Sequence, residues 1–239
     1  MTDNIIKIAK EVINTENKGL KKLTKSINNN FVKAIEVLKK TEGRIILTGI
    51  GKSGIIANKI SSTLSSTGSP SQFIHPSEAS HGDLGILTKK DTIIALTFSG
   101  KTNELSDIFF YSKKNKIPLI IITSKSNSNL KYVAKVCIEL SNLKEACPLE
   151  LAPTTSTTAM AALGDAIAIV LMNLKKFTKK NFYSFHLGGE LGKKLLIVKN
   201  IMHKGNKIPL VKETMLMSNV IIEISKKRLG CVGVTSKNK

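Results

Sequence analysis

Arg44-Ile45-Ile46-Leu47-Thr48-Gly49-Ile50-Gly51-Lys52-Ser53-Gly54 is the stretch that decides the fold class. Its first five residues form a short β-branched run, the profile of a parallel strand buried on both faces, and glycines follow at once. Behind them Ser53 to Ser66 has the length of a helix. The strand profile recurs at Gln72–Ile74, Thr92–Thr97, Pro118–Thr123 and Lys135–Leu140, with another helix-length segment from Asn103 to Lys116. Strands alternating with helices predict a parallel sheet covered on both faces.

Upstream, apolar residues at Ile5, Ile8, Ala9, Val12 and Ile13, then Leu20, Leu23, Ile27 and Phe31, then Ile35 and Leu38, keep close to a 3.6 period, so residues 1–40 read as leading helices. Downstream, Pro153 to Lys175 reads as one long apolar helix, with Thr154 to Thr158 supplying hydroxyls for its start. After Leu195 the texture changes. Asn200-Ile201-Met202-His203 opens a new unit with strand-like Ile208–Val211, helix-like Leu216–Lys227 and strand-like Leu229–Val234. The expected division is a main domain over 1–198 and an appendage over 199–239.

A chain of 239 residues with 41% apolar content can bury a sizeable core. Its formal charge is +20, which invites a nucleic-acid reading. Yet of 37 basic residues only Arg44 and Arg228 are arginine, and the lysines run along the whole chain, so no nucleic-acid partner is expected. The charge can still draw in anionic metabolites. Cys137, Cys147 and Cys231 are widely spaced, which fits a reducing compartment and disfavours a zinc cluster built on them. The first residues show no apolar leader, and the apolar run around Ile167–Leu174 falls short of the roughly 20 residues of a membrane span. A soluble, cytoplasmic protein without membrane association is the expectation.

Three constellations carry chemistry. The first is Thr48 to Gly54, a turn between strand and helix whose glycines let the backbone approach a ligand while helix N–H groups favour an anion. It has the Gly49, Gly51, Gly54 spacing of a dinucleotide turn, but the next strand closes at His75 with no acid to take a ribose. The second is Thr97-Phe98-Ser99-Gly100-Lys101-Thr102-Asn103-Glu104, again a strand end leading into a helix, where Ser99 and Thr102 can ring a phosphate. Two such turns on one parallel sheet would both sit at its carboxyl edge, where open α/β sheets bind ligands. The third is the set of histidines in polar, glycine-punctuated loops: His75, His81 in Glu78–Gly85, and His186 in Phe185–Gly192. No metal-binding spacing such as H-E-x-x-H occurs.

Together these stretches resemble the sugar isomerase (SIS) domain, and specifically the arabinose-5-phosphate isomerase family of Gram-negative bacteria. The resemblance runs through Thr48–Gly54, His75-Pro76-Ser77-Glu78-Ala79-Ser80-His81-Gly82-Asp83-Leu84-Gly85, Ser99–Glu104, Lys144–Leu149, Leu151–Thr158 and Phe185–Gly192. The segment from Asn200 resembles the opening of the family's paired CBS modules, cut short at Lys239. What the resemblance implies is a three-layer αβα sandwich around a central, mostly parallel five-stranded sheet, followed by a truncated CBS fragment. It implies reversible conversion of D-ribulose 5-phosphate to D-arabinose 5-phosphate through an enediol, feeding synthesis of the Kdo sugar of lipopolysaccharide.

Carried over by position, Glu104 is the base and Lys52 stabilises enediolate or phosphate. His81 and His186 serve ring opening and proton relay, and Glu145 matches a further polar catalytic position. Gly51, Ser53, Ser99 and Thr102 hold the phosphate, while Gly68, Ser69, His75 and His81 line the sugar. No cofactor is required, and His75 matches a position where an inhibitory zinc ion can bind. The partner implied is a phosphosugar, in a pocket completed by a neighbouring copy of a homo-oligomer, a tetramer. Two departures stand out: Lys101 where relatives carry an acid, and Leu187 where they carry proline after the histidine. Two other readings stay open: a regulator of the same domain type that binds phosphosugar without turnover, and an isomerase for a different phosphosugar. Only about forty residues precede the first strand, too few for a helix-turn-helix module plus the leading helices.

Overall fold

The structure, a computed structural model, describes residues 2–140, 142–185 and 197–236. It divides into two units, Met1–Phe185 and His186–Lys239, a division ahead of the 198/199 boundary expected from the sequence.

In the first unit the β-branched runs form five parallel strands: β1 Ile45–Gly49, β2 Ser71–Ile74, β3 Thr92–Leu96, β4 Leu119–Thr123 and β5 Val136–Glu139. Their order is β2-β1-β3-β4-β5, with β1 paired to β2 and β3 on its two sides. Every residue of β1, β3 and β4 is buried, which is why these strands read as uninterrupted apolar runs. On one face lie α1 Thr2–Ser26, α2 Asn29–Lys39, α3 Gly51–Ser66 and α7 Thr155–Leu174, around Leu47, Ile94, Leu96, Ile120 and Ile122. On the other lie α4 Pro76–Ser80, α5 Ser106–Asn115 and α6 Ser128–Val133, against Ile46, Ile93, Ala95, Leu119 and Ile121. Odd and even residues of one strand thus face different helix layers, making three layers in all. A short helix, α8 Lys179–Phe185, closes the unit.

The leading segment is two helices. Asn28 breaks it by capping α2, its side chain accepting from the Asn30 N–H at 2.8 Å. Only Gly19 and Leu23 of α1 are buried, so the apolar stripe at Ile5, Ile8 and Ile13 is exposed. The apolar helix α7 fills the span expected between Pro153 and Lys175, and although the apolar run 167–174 is short, the helix's 20 residues satisfy the length and composition of a membrane span. Its packing identifies it as a core helix, with Ala159, Met160, Leu163, Ile167 and Leu171 buried in the main core and Gly164 seated against Ile60 of α3.

The second unit contains α9 Val198–Ile201, β6 Leu210–Lys212, α10 Met217–Lys227 and β7 Gly233–Thr235. Strands β6 and β7 pair in parallel, with the helix α10 supplying the crossover connection that parallel strands need. Both strands are shorter than the runs 208–211 and 229–234 predicted them to be. Val211 and Val220 are buried, whereas Ile221 and Ile222 are exposed.

Candidate active site

The strand order places a topological switch point between β1 and β3: the chain leaves β1 toward β2 on one side and continues from β3 toward β4 on the other. The two turns singled out in the sequence follow these two strands, so both stand at the carboxyl edge of that switch point. After β1, Gly51 adopts φ +58°, and Gly54 presses α3 onto the strand. A Cβ at Gly54 would stand 2.5 Å from the Gly49 carbonyl oxygen, so only glycine allows the helix to start this close. The N-terminal N–H groups of the 16-residue α3 open onto the rim, with Lys52 exposed there and Ser53 half-buried, its Oγ 4.0 Å from Met160 Sδ.

After β3 the turn is held from within and from outside. Thr97 is buried, and its hydroxyl pairs with that of Thr102 at 2.8 Å while accepting from the Gly100 N–H at 3.2 Å. The Lys101 N–H donates to Ser99 Oγ at 3.2 Å. The Phe98 carbonyl accepts from the Ser124 N–H at 3.0 Å and its hydroxyl at 2.6 Å, which clamps the turn to the end of β4. Glu104 follows in the 3-10 turn Asn103–Leu105 and is exposed on the same rim, rather than in the α-helix expected from Asn103.

β2 delivers the histidines to that edge. His75 caps α4, its Nδ1 accepting from the Ser77 N–H at 3.2 Å, which leaves Nε2 as the free ring nitrogen. His81 ends α4 and is exposed, followed by Gly82 at φ +130°. The Ser80 hydroxyl donates to Asp107 at 2.7 Å and ties α4 to α5. Lys52, His75, His81 and Glu104 therefore come from the ends of three adjacent strands. Among the described residues no three His, Cys, Asp or Glu side chains converge as a metal cluster, so His75 would offer a zinc ion one nitrogen.

Glu145 has a task of its own. Its Oε2 accepts from the Thr154 N–H at 2.8 Å, the Thr154 hydroxyl at 3.0 Å and the Ser156 N–H at 3.3 Å, capping α7. Burial pushes its carboxyl up, and the hydrogen bonds from Ser156 and Thr154 outweigh that and hold it below its ordinary value. Beside it a cavity of about 380 Å³ opens between Phe98, Leu143 and Lys22. Lys22 Nζ donates to the Asn142 carbonyl at 3.1 Å. This lysine was invisible to motif reading, because α1 brings it from more than a hundred residues away.

One expected pair does not join this rim. Gly68 and Ser69 lie between the end of α3 and the start of β2, at the amino edge of the sheet, a helix length of about 24 Å from Gly51. Ser69 is buried and its hydroxyl accepts from Lys175 Nζ at 2.8 Å. Within one chain these residues cannot line a sugar held at the carboxyl edge. His186 lies outside the described residues.

Residues 38–170 match the SIS domain family. The arabinose 5-phosphate isomerase KdsD of Francisella tularensis is 46% identical over 234 residues, covering 96% of this chain and 72% of that protein. The arabinose 5-phosphate isomerase KdsD of Escherichia coli (strain K12) is 42% identical over 230 residues, 96% of this chain and 70% of that protein. The solved structure of the E. coli CFT073 protein c3406 in complex with arabinose 5-phosphate superposes with a TM-score of 0.75 at 37% identity, over 78% of this chain and 99% of that one. A five-stranded parallel sheet with glycine- and hydroxyl-rich turns at its switch point, matched over this length and at this identity, makes the chain a member of the SIS domain family.

Proposed function

We infer that this chain is an arabinose 5-phosphate isomerase, interconverting D-ribulose 5-phosphate and D-arabinose 5-phosphate. The observation that carries the reading is the pair of glycine- and hydroxyl-rich turns that follow β1 and β3 at the switch point, with Glu104 on the same rim. The similar proteins from F. tularensis and E. coli are named for this activity, and a similar solved structure holds arabinose 5-phosphate, which supports the substrate class.

The chemistry is proton transfer between neighbouring carbons, so electrons balance within the substrate and no redox cofactor is needed. On the open-chain aldose, a base takes the proton from C2 while the C1 oxygen gains one, giving the enediol. Return of a proton to C1, with loss of the C2 hydroxyl proton, gives the ketose. Glu104 is our proposed base. The N–H groups at Gly51 and Ser53, with the Ser99 and Thr102 hydroxyls, hold the phosphate, and Lys52 balances the enediolate. Lys101 adds to the attraction for the phosphate. We assign ring opening and proton relay to His81 and His186. Glu145, ionised and engaged at the start of α7, acts as a positioning group for the 145–156 segment. We propose zinc inhibition through His75 Nε2.

We propose a homo-oligomer, a tetramer, in which a neighbouring copy completes the pocket; Gly68 and Ser69 lie at the far edge of the sheet, with Ser69 buried against Lys175, and are not assigned to the substrate. We further propose a cytoplasmic enzyme supplying Kdo synthesis, with residues 199–239 forming part of a CBS module. The test is NMR of the protein with ribulose 5-phosphate in heavy water. Arabinose 5-phosphate carrying deuterium at C2 is the expected product. Binding without conversion or exchange overturns the assignment.

A further inference from the structure

At the edge of the sheet opposite the candidate active site, a groove of about 450 Å³ lies between the end of α2, the loop before β3 and the starts of β4 and β5. Five lysines line it: Lys33 from α2 and Lys40 capping its end, Lys89 and Lys90 from the loop, and Lys135 just before β5. Lys33 and Lys40, seven residues apart, share one face of the helix.

The loops carrying these lysines are joined rather than merely near. The Thr41 and Thr92 hydroxyls meet at 2.7 Å, and the Gly43 N–H donates to the Lys90 carbonyl at 2.8 Å. A Cβ at Gly43 would stand 3.0 Å from the backbone of Lys90, so glycine is what lets the two loops close up. Three acids, Glu36, Glu42 and Asp91, line the groove with the five lysines, so its net charge stays positive, and Glu36, exposed on α2, forms no ion pair among the described residues. Asp91 is turned inward, accepting from the Arg44 N–H at 2.6 Å and the Thr88 N–H at 2.8 Å. Glu42 stands 3.9 Å from Lys90, with both side chains largely in solvent. Among the described residues Lys33, Lys40, Lys89 and Lys135 form no ion pair. Between these ammonium groups Val37, Pro118 and Val136 provide an apolar floor.

We propose that this groove is a second ligand site, taking a nucleoside polyphosphate with its phosphates on the lysines and its base on the apolar floor. The volume is that of a small-molecule pocket, and convergent lysines over an apolar surface suit a ligand with one charged and one flat end. It is distinct from the phosphosugar site because the length of β3 and β1 separates the two edges.

The probe is ATP, titrated calorimetrically into the full chain at about 0.1 M salt, where surface charges beyond a Debye length are screened. Saturable one-site binding is expected, undisturbed by saturating arabinose 5-phosphate. Lys40→Ala with Lys135→Ala weakens it by about tenfold or more, whereas Lys10→Ala with Lys18→Ala on α1 removes the same charge and leaves it within about twofold. Lys33→Ala with Lys89→Ala gives an independent second pair, and circular dichroism checks that each variant folds. Absence of saturation, displacement by arabinose 5-phosphate, or equal weakening by the α1 pair each overturns the proposal.

Discussion

Replacing Gly54 by alanine tests the link between packing and phosphate binding at the first turn. The new Cβ would stand 2.5 Å from the Gly49 carbonyl oxygen and 3.1 Å from its carbon. Gly49 belongs to β1, which is held by hydrogen bonds to β2 and β3, so the strand is the stiffer partner and α3 must yield. Restoring ordinary contact at 3.4 Å moves the start of α3 by roughly 1 Å. Overpacking of this kind costs about 2 kcal/mol, and for a unit of this size that lowers Tm by about 5 °C. The same shift carries the Gly51 and Ser53 N–H groups away from the phosphate. Because the phosphate is bound alike in ground and transition states, KM should rise by about tenfold with kcat changed much less. A coupled assay of ribulose 5-phosphate formation, with a thermal melt of the same sample, reads both. Gly51→Ala is the contrast: its Cβ has open space, and only the φ of +58° opposes it, at about 1 kcal/mol. If Gly54→Ala keeps KM within about twofold and Tm unchanged, α3 does not set the geometry of the turn. A lower Tm with unchanged KM would separate the turn from phosphate binding.

Glu104→Gln should lower kcat by at least about a hundredfold while phosphosugar binding, read by calorimetry, stays near normal, since the phosphate contacts lie on other residues. Glu145→Gln can keep the donors on its carbonyl oxygen but loses the charge that strengthens those hydrogen bonds, and should destabilise the fold by about 1 kcal/mol at neutral pH, measured by urea unfolding. The native Glu145 pKa is depressed below its ordinary value of 4.5, so its contribution is complete above that pH and disappears as pH falls through the folded-state value. The two proteins should therefore converge in stability as pH falls below 4.5, the wild type falling faster. Asp91→Asn should cost about 2 kcal/mol, because the buried carboxylate takes the Arg44 and Thr88 N–H groups and one of these would face an NH₂; the urea midpoint checks it.

The five strands were legible because each is buried on both faces or nearly so, and a strand in that position shows its burial as a β-branched run. The two turns were legible for a related reason: a strand that ends in glycine and hydroxyl residues before a helix advertises its own rim. The division of the leading segment was readable in principle from Asn28, whose cap on α2 is a local hydrogen bond. Strand order was not. Nothing local states that β1 lies between β2 and β3, and without that order the two turns cannot be seen to flank one switch point. Gly68 and Ser69 were misplaced for the same reason, since the direction of α3 decides which edge they reach.

The contrast between Glu104 and Glu145 shows where sequence reading of a site stops. Both are acids near the carboxyl edge, and position alone gave both a catalytic role. In the structure Glu104 is exposed with no hydrogen-bond partner among the described residues, whereas Glu145 has three donors on one oxygen and caps the helix that fills the core. A base must accept a proton, and donors that stabilise the carboxylate make it a weaker one. The hydrogen bonds that favour the carboxylate of Glu145 argue against its taking a carbon-bound proton and suit it to holding Thr154 and Ser156 in place. The phosphate end of the proposed site is built from two short turns, each continuous in sequence, and could be read locally. The proton-transfer end depends on which acid the fold leaves free, and only the assembled sheet and α7 decide that.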